Sequence, residues 1–292
     1  MGGMPAAGSG GAAGAAVGGA GGAGGTAGVP AAGSGGSAGA PASGGTCDRA
    51  CLLQVMQQYL DAVLAHDPSK LEFSASLKMT DNGVTAKPGD GIWKTASSLA
   101  SGARLDFADP VTKNVGTQCL LNEGSMPVMY EVRLKYDAGE ITELETMTVR
   151  RADAANGFFD PMNLKPQPVW AQTPDPSKRM TRDQLKALQE QYLDYLEGKK
   201  SGSQVAFDAN CARYENGVAT ATGTASFQFQ SWAFEVTRRV LIIDEEAQIT
   251  FGMFPFQQSA DALVVGEAFK MLDGKIMMIQ AIMAYMPSKA WQ

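Results

Sequence analysis

The stretch Gln58-Tyr59-Leu60-Asp61 returns as Gln191-Tyr192-Leu193-Asp194, and Asp81-Asn82-Gly83-Val84 returns as Glu215-Asn216-Gly217-Val218. A third block, Gly139-Glu140-Ile141, returns as Gly274-Lys275-Ile276. Matched positions lie 133, 134 and 135 residues apart in the three blocks. A long and nearly constant spacing predicts one duplicated domain and not a short-period solenoid. Each copy has on the order of 100 residues, enough to bury a core of its own.

Outward from the Gln-Tyr-Leu-Asp blocks, Leu52, Val55, Tyr59 and Val63 fall at helical spacing, and Leu185, Leu188, Tyr192 and Leu196 repeat the stripe. Each copy therefore opens with an amphipathic helix. Thr181 and Gln184 form a capping-box pattern at the start of the second helix, while Thr46 or Asp48 can cap the first. Short extended runs at residues 77–80 and 211–214 then lead into Asn-Gly, which tolerates the positive φ of a tight hairpin. Further strands are expected over residues 115–121, 128–136 and 141–150 in the first copy, and over 239–243, 248–254, 263–272 and 275–285 in the second. A helix followed by a run of antiparallel strands is an α+β layer, with the helix packed on a curved sheet.

Residues 1–46 are almost entirely Gly, Ala, Ser and Pro, and the first charged residue is Asp48. Such a segment buries too little apolar surface to offset the entropy of ordering it, so a disordered tether is expected. The domain plan is thus a tether (1–46), a first unit (47–151), a linker (152–180) and a second unit (181–292). The linker carries Pro161, Pro166, Pro168, Pro174 and Pro176 and is expected to run extended over the surface.

The net charge is −6, with no Lys/Arg stripe, which argues against a nucleic-acid or anionic-membrane partner. No apolar stretch has the length of a transmembrane helix. A Gly/Ala/Ser tether before a globular domain resembles the spacer behind the lipid-bearing cysteine of bacterial lipoproteins. An extracytoplasmic protein, secreted or lipid-anchored, is therefore expected, its export signal not present in this chain. With four cysteines and one histidine, a mixed-ligand zinc site is not expected. In an exported protein Cys47 or Cys51 could bond Cys119; the alternative is buried free thiols.

The helix carrying residues 58–67 and the run Ala75-Ser76-Leu77-Lys78-Met79-Thr80-Asp81 resemble the opening of the ketosteroid isomerase-like, or SnoaL-like, fold, also called nuclear transport factor two-like. Cys211-Ala212-Arg213-Tyr214-Glu215-Asn216-Gly217-Val218, Ile243-Asp244-Glu245-Glu246 and Glu267-Ala268-Phe269-Lys270 are similar to an uncharacterised tandem group within it. So are Cys47-Asp48-Arg49-Ala50-Cys51-Leu52 and Gly89-Asp90-Gly91-Ile92-Trp93 in the first copy. The resemblance covers nearly everything from Cys47 onward. It implies two cone-shaped α+β-barrel units joined as an internal pseudo-dimer in a monomer. It also implies a pocket for a small apolar or partly polar organic ligand. It is nearly silent on the reaction, since one fold hosts many chemistries.

In the isomerase branch a carboxylate moves a proton while a Tyr and a protonated acid hold the developing enolate oxygen. The resemblance maps Tyr59 and Tyr192 onto the helix tyrosine, and Asp81 and Glu215 onto the proton-shuttling carboxylate. Strand alternation puts Asp81 on a face with Met79 and Leu77, but Glu215 on a face with Arg213 and Cys211. Glu267 shares a face with Val265, Phe269 and Met271 and is expected inside. Glu131, beside Arg133 and Lys135 in parity, is expected on a solvated face, with Tyr130 pointing inward. Trp93 could wall a pocket. His66 reads as a helix cap, and Glu245-Glu246 point to opposite faces and make no metal site. No nucleotide loop, dinucleotide fingerprint, serine elbow or zinc motif occurs; if the protein is an enzyme, the resemblance implies cofactor-free proton transfer: isomerisation, dehydration or elimination. The competing reading is a non-catalytic binding or cell-surface module.

Overall fold

The computed structural model describes residues 47–227, 236–237, 239–257 and 261–287; the expected tether lies outside them. Helix α1 (Arg49–Leu64) buries the Leu52, Val55, Tyr59, Val63 stripe, and Asp48 caps it by accepting the Cys51 N–H at 2.9 Å. Helix α2 (Arg182–Leu196) carries the Thr181/Gln184 capping box. Both helices end alike. The residue after the C-cap turns left-handed, and its N–H and the following one bond back to the last-turn carbonyls. His66 fills that position in the first half at φ 55°, and Gly198 in the second at φ 74°.

After α1 come β1 (Phe73–Asp81), β2 (Val84–Thr85), β3 (Ser98–Asp109), β4 (Asn114–Glu123), β5 (Met126–Asp137) and β6 (Glu140–Val149). After α2 come β7 (Phe207–Glu215), β8 (Val218–Thr222), β9 (Val240–Asp244), β10 (Ile249–Gln257), β11 (Asp261–Leu272) and β12 (Lys275–Pro287). They form two six-stranded sheets ordered β2-β1-β6-β5-β4-β3 and β8-β7-β12-β11-β10-β9. The molecule is α+β with two units. The sheets are mixed and not purely antiparallel, because the first strand of each runs parallel to the last. The hairpin asparagines extend these parallel ladders. Asn82 exchanges two side-chain bonds with the Thr148 backbone (2.7 and 3.1 Å), and Asn216 does the same with Met283 (2.8 and 2.9 Å).

One apolar cluster lies under each helix. Two more join the sheets to each other, one of them holding Met129 and Met147 against Val264 and Ile282, the other stacking Phe107 on Phe251 at 4.6 Å. The linker is not the peripheral strap expected. It makes 3-10 turns at Ala155–Gly157, Pro161–Leu164, Pro168–Ala171 and Pro176–Lys178. Its Leu164 and Trp170 are buried in the clusters shared by the sheets. Every proline-started turn frees no buried N–H, while the apolar residues between prolines supply the contact.

Two ion pairs tie the halves reciprocally. Arg182, the first residue of α2, bonds Asp109 at the end of β3 through both carboxylate oxygens (2.9 and 2.6 Å), and the Ile243 N–H adds a third bond at 3.1 Å. Arg49, the first residue of α1, bonds Asp244 at the end of β9 (3.0 Å to each oxygen), with the Ala108 N–H at 3.0 Å. Burial pushes the Asp109 carboxyl up, but the bonds from Arg182, Thr112 and Ile243 outweigh it and hold it below the usual range.

The expected cysteine bond is corrected. Cys47 pairs with Cys51, while Cys119 and Cys211 are free and buried. Cys47 and Cys51 lie about one helical turn apart, with Cα atoms 5.2 Å from each other, within bonding reach. Cys119 instead sits on β4 opposite Tyr130, in the core beneath the helix.

Candidate functional site

Strand registers fix which residues of the two halves correspond. Asp109 faces Asn114 and Asp244 faces Ile249; Asn114 faces Lys135 and Ile249 faces Lys270. Counting back along β5 and β11, Tyr130 corresponds to Val265, Glu131 to Gly266 and Val132 to Glu267. The two glutamates are therefore not equivalent, and they occupy opposite faces.

In the first half the interior is filled. The Tyr59 and Tyr130 hydroxyls meet at 2.7 Å, and Trp93 packs edge-on against Tyr59 with ring centroids 5.5 Å apart. All three are buried in the cluster under α1, and burial pushes both phenols up. Asp81 accepts the Thr146 hydroxyl at 2.8 Å, and burial pushes its carboxyl up. No hydrogen bond joins it to the tyrosine pair among the described residues.

In the second half Val265 takes the place of Tyr130, and space remains. A cavity of about 30 Å³ is lined by Tyr192, Arg213, Glu215 and Glu267, with Leu196, Phe256, Leu263, Val265 and Met283 as apolar walls and Asn156 from the linker. This volume holds about two waters.

The polar side of the cavity is a relay. Arg213 Nη1 donates to the Tyr192 hydroxyl at 3.3 Å, and Tyr192 donates to Glu267 Oε1 at 3.1 Å. Glu267 Oε2 is buried and has no hydrogen-bond partner among the described residues. Burial raises the Glu267 carboxyl to about 8, with Glu215 adding to the rise and Arg213 and Tyr192 opposing it. That value favours the protonated form at neutral pH, and among the described residues no group accepts a proton carried on Oε2. Glu215 lies 3.5 Å from Arg213 Nε.

The halves differ here for a traceable reason. Asp81 pairs in register with Thr146, and Glu215 with Ala281. The threonine hydroxyl holds Asp81. Alanine offers none, and Arg213, two residues before Glu215 on the same strand face, becomes the partner.

The structure thus brings Tyr192, Arg213, Glu215 and Glu267 together at one cavity, and Tyr59, Tyr130 and Trp93 together in a packed core. Asp81 stands apart on its strand. The solvated face expected for Glu131 is covered by the second sheet, and Glu131 is fully buried there. Alternation says which face a residue takes but not what covers that face. Sequence reasoning also missed Asn156, which reaches the rim from the linker, and the Arg49–Asp244 and Arg182–Asp109 pairs. The arginines lie 133 residues apart and the aspartates 135, so the recurring sequence spacing carried the signal. His66 caps α1 and sets its Nε2 at 2.7 Å from the Ala96 carbonyl. Among the described residues no group of three or more His, Cys, Asp or Glu is placed to hold a metal, and no helix is long and apolar enough to cross a membrane.

Residues 178–283 match the family model described as a domain of unknown function, DUF8021. The match spans the lining residues Tyr192, Arg213, Glu215 and Glu267. No curated protein matches the chain. Among solved structures, one from Kribbella flavida DSM 17836, provisionally assigned as a ketosteroid isomerase, is 18% identical over 36% of this chain and 82% of its own, with a TM-score of 0.30.

Proposed function

We propose that the second half is a small-ligand site that works by cofactor-free proton transfer. The observation that carries this reading is Glu267, a buried neutral acid with one oxygen unpartnered at a cavity wall and the other held by Tyr192. A ligand carbonyl oxygen accepts its O–H once the ligand has displaced any water from the cavity. Glu215 takes a proton from the carbon next to that carbonyl: the C–H bond breaks, an O–H bond forms on Glu215, and the electron pair becomes an enolate stabilised by Glu267. Return of the proton to another carbon is isomerisation, and loss of a leaving group is elimination. Arg213, 3.5 Å away, orients the Glu215 carboxylate toward the cavity. Tyr192 supports Glu267 through its hydroxyl bond to Oε1.

The first half is the non-catalytic partner in this reading. The Tyr59–Tyr130 contact and Trp93 occupy the place a ligand would take, so Asp81, Tyr59, Tyr130 and Trp93 serve packing. We read the two halves as cone-shaped copies of one unit held as an internal pseudo-dimer, supported by their identical strand order. An extracytoplasmic location is supported by the Cys47–Cys51 bond, since such bonds persist where the surroundings are oxidising.

The test is exchange of the α-protons of cyclopentanone in D2O, followed by proton NMR. The full chain accelerates exchange, Glu215→Gln lowers the rate by about 100-fold or more, and Asp81→Asn leaves it unchanged. Exchange at the solvent rate, or equal rates in wild type and Glu215→Gln, removes the proposal.

A further inference from the structure

Gly266 and Glu267 are neighbours on β11 and face opposite ways: Glu267 into the cavity, Gly266 toward the first sheet. On that second side sits Glu131. A methyl group at Gly266 would fall 1.5 Å from Glu131 Oε1, so the carboxyl lies directly on the glycine backbone. Glu131 is held by Gln118, whose Nε2 lies 2.7 Å from Glu131 Oε2, 3.1 Å from the Gly266 carbonyl and 3.3 Å from the Gln280 carbonyl. Gln280 Nε2 returns a bond to Gln118 Oε1 at 3.1 Å. Every member is buried. The Gly266 carbonyl belongs to the same peptide unit as the Glu267 N–H, so that unit is fixed from the first half.

We propose that Glu131 is a positioning residue for the cavity: with Gln118 it holds the Gly266–Glu267 peptide in place, so that the first half tunes a ligand site it does not line. Glu131 never touches the ligand. The acidic groups near it are Glu267 through β11 and Glu145 from β6, the latter tied to Arg133 and Arg239 at 2.7 and 2.6 Å. Burial pushes the Glu131 carboxyl well up, which favours its uncharged form at the interface. Removing it leaves Gln118 without its nearest acceptor and frees the Gly266 carbonyl to move. The inference rests on the cavity as the functional site.

The experiment titrates Glu267 in the full chain by its side-chain carboxyl carbon-13 signal, assigned with Glu267→Gln. Glu131→Gln keeps an acceptor for Gln118 and leaves the Glu267 midpoint where it is. Glu131→Ala lowers that midpoint by about one pH unit or more, as water reaches the loosened strand. Because Glu131→Ala also opens a void, the double variant Glu131→Ala/Gly266→Ala refills it with a methyl group. Its thermal midpoint recovers while the Glu267 midpoint stays low. An unchanged Glu267 midpoint in Glu131→Ala, full recovery in the double variant, or an equal fall in Glu131→Gln overturns the proposal. The cyclopentanone exchange reads the catalytic proposal separately. A lowered Glu267 midpoint with no exchange in wild type removes only the catalysis, whereas exchange with an unmoved midpoint removes only the positioning role.

Discussion

Tyr59 and Tyr192 occupy matching places in two helices, yet their hydroxyls meet different partners. Tyr59 finds a second phenol and Tyr192 finds a carboxyl. A buried hydroxyl left without its partner costs about 1–3 kcal/mol, whereas removing both partners costs less than twice that. Tyr59→Phe and Tyr130→Phe should therefore each lower unfolding stability by about 1–2 kcal/mol, and the double variant by clearly less than their sum in a urea-melt cycle. Glu267 gives a pH signature. Its folded value of about 8 exceeds the ordinary carboxyl value, so from about pH 4.5 to 8 the folded chain keeps a proton that the unfolded chain has lost. Stability attributable to this group falls by about 1.4 kcal/mol per pH unit across that window and levels off above it. Glu267→Gln should flatten this slope in denaturant midpoints measured from pH 5 to 9. At this scale the tyrosines, Arg213, Glu215 and Glu267 were legible because strand alternation and helical spacing are local rules. Glu131 was not, since its surroundings come from a sheet more than a hundred residues away.

Among the elements, both helices and both Asn-Gly hairpins follow from a few adjacent residues and could be read directly. Strand β3 could not: its pairing with β4 slips between Leu99 and Arg104, and the alternation that marks a strand is broken there. The parallel pairing of β1 with β6 is likewise a property of the whole sheet and not of either strand. The helix starts show two solutions to one problem. Where α2 uses Thr181 and Gln184 to bind each other's backbone, α1 has Asp48 as cap and a covalent Cys47–Cys51 bond around it. Closing so short a loop restricts the unfolded chain by about 2 kcal/mol. Reduction, or Cys47→Ser/Cys51→Ser, should lower stability by about that amount. Thr181→Ala should cost about 1 kcal/mol, both read from chemical denaturation.

Across the whole molecule, the two Arg–Asp pairs place one buried carboxylate of each half under the helix start of the other. Breaking such a pair by removing the arginine strands a charge in the interior and costs about 3 kcal/mol or more. Arg182→Ala and Arg49→Ala should each show that loss. Both halves should still unfold in one transition, because the shared clusters make neither sheet self-sufficient on its inner face. Asp109 also sets an acid limit. Its value is depressed in the folded chain, so its contribution is complete above the ordinary carboxyl range and is lost as pH falls through the folded value. Arg182→Ala should remove that acid sensitivity in thermal midpoints taken from pH 5 down to 2.

The seat of Glu131 on Gly266 has a consequence for symmetry. The two residues correspond in register, so a symmetric dimer of identical single-unit chains would set glutamate against glutamate, or glycine against glycine, at this spot. The first arrangement crowds two acids into one hole, and the second leaves a void. Unlike residues at these matching positions therefore need two different sequences, one on each side, which a single chain holding both halves supplies. A chain made of two first halves, or two second halves, could not rebuild it.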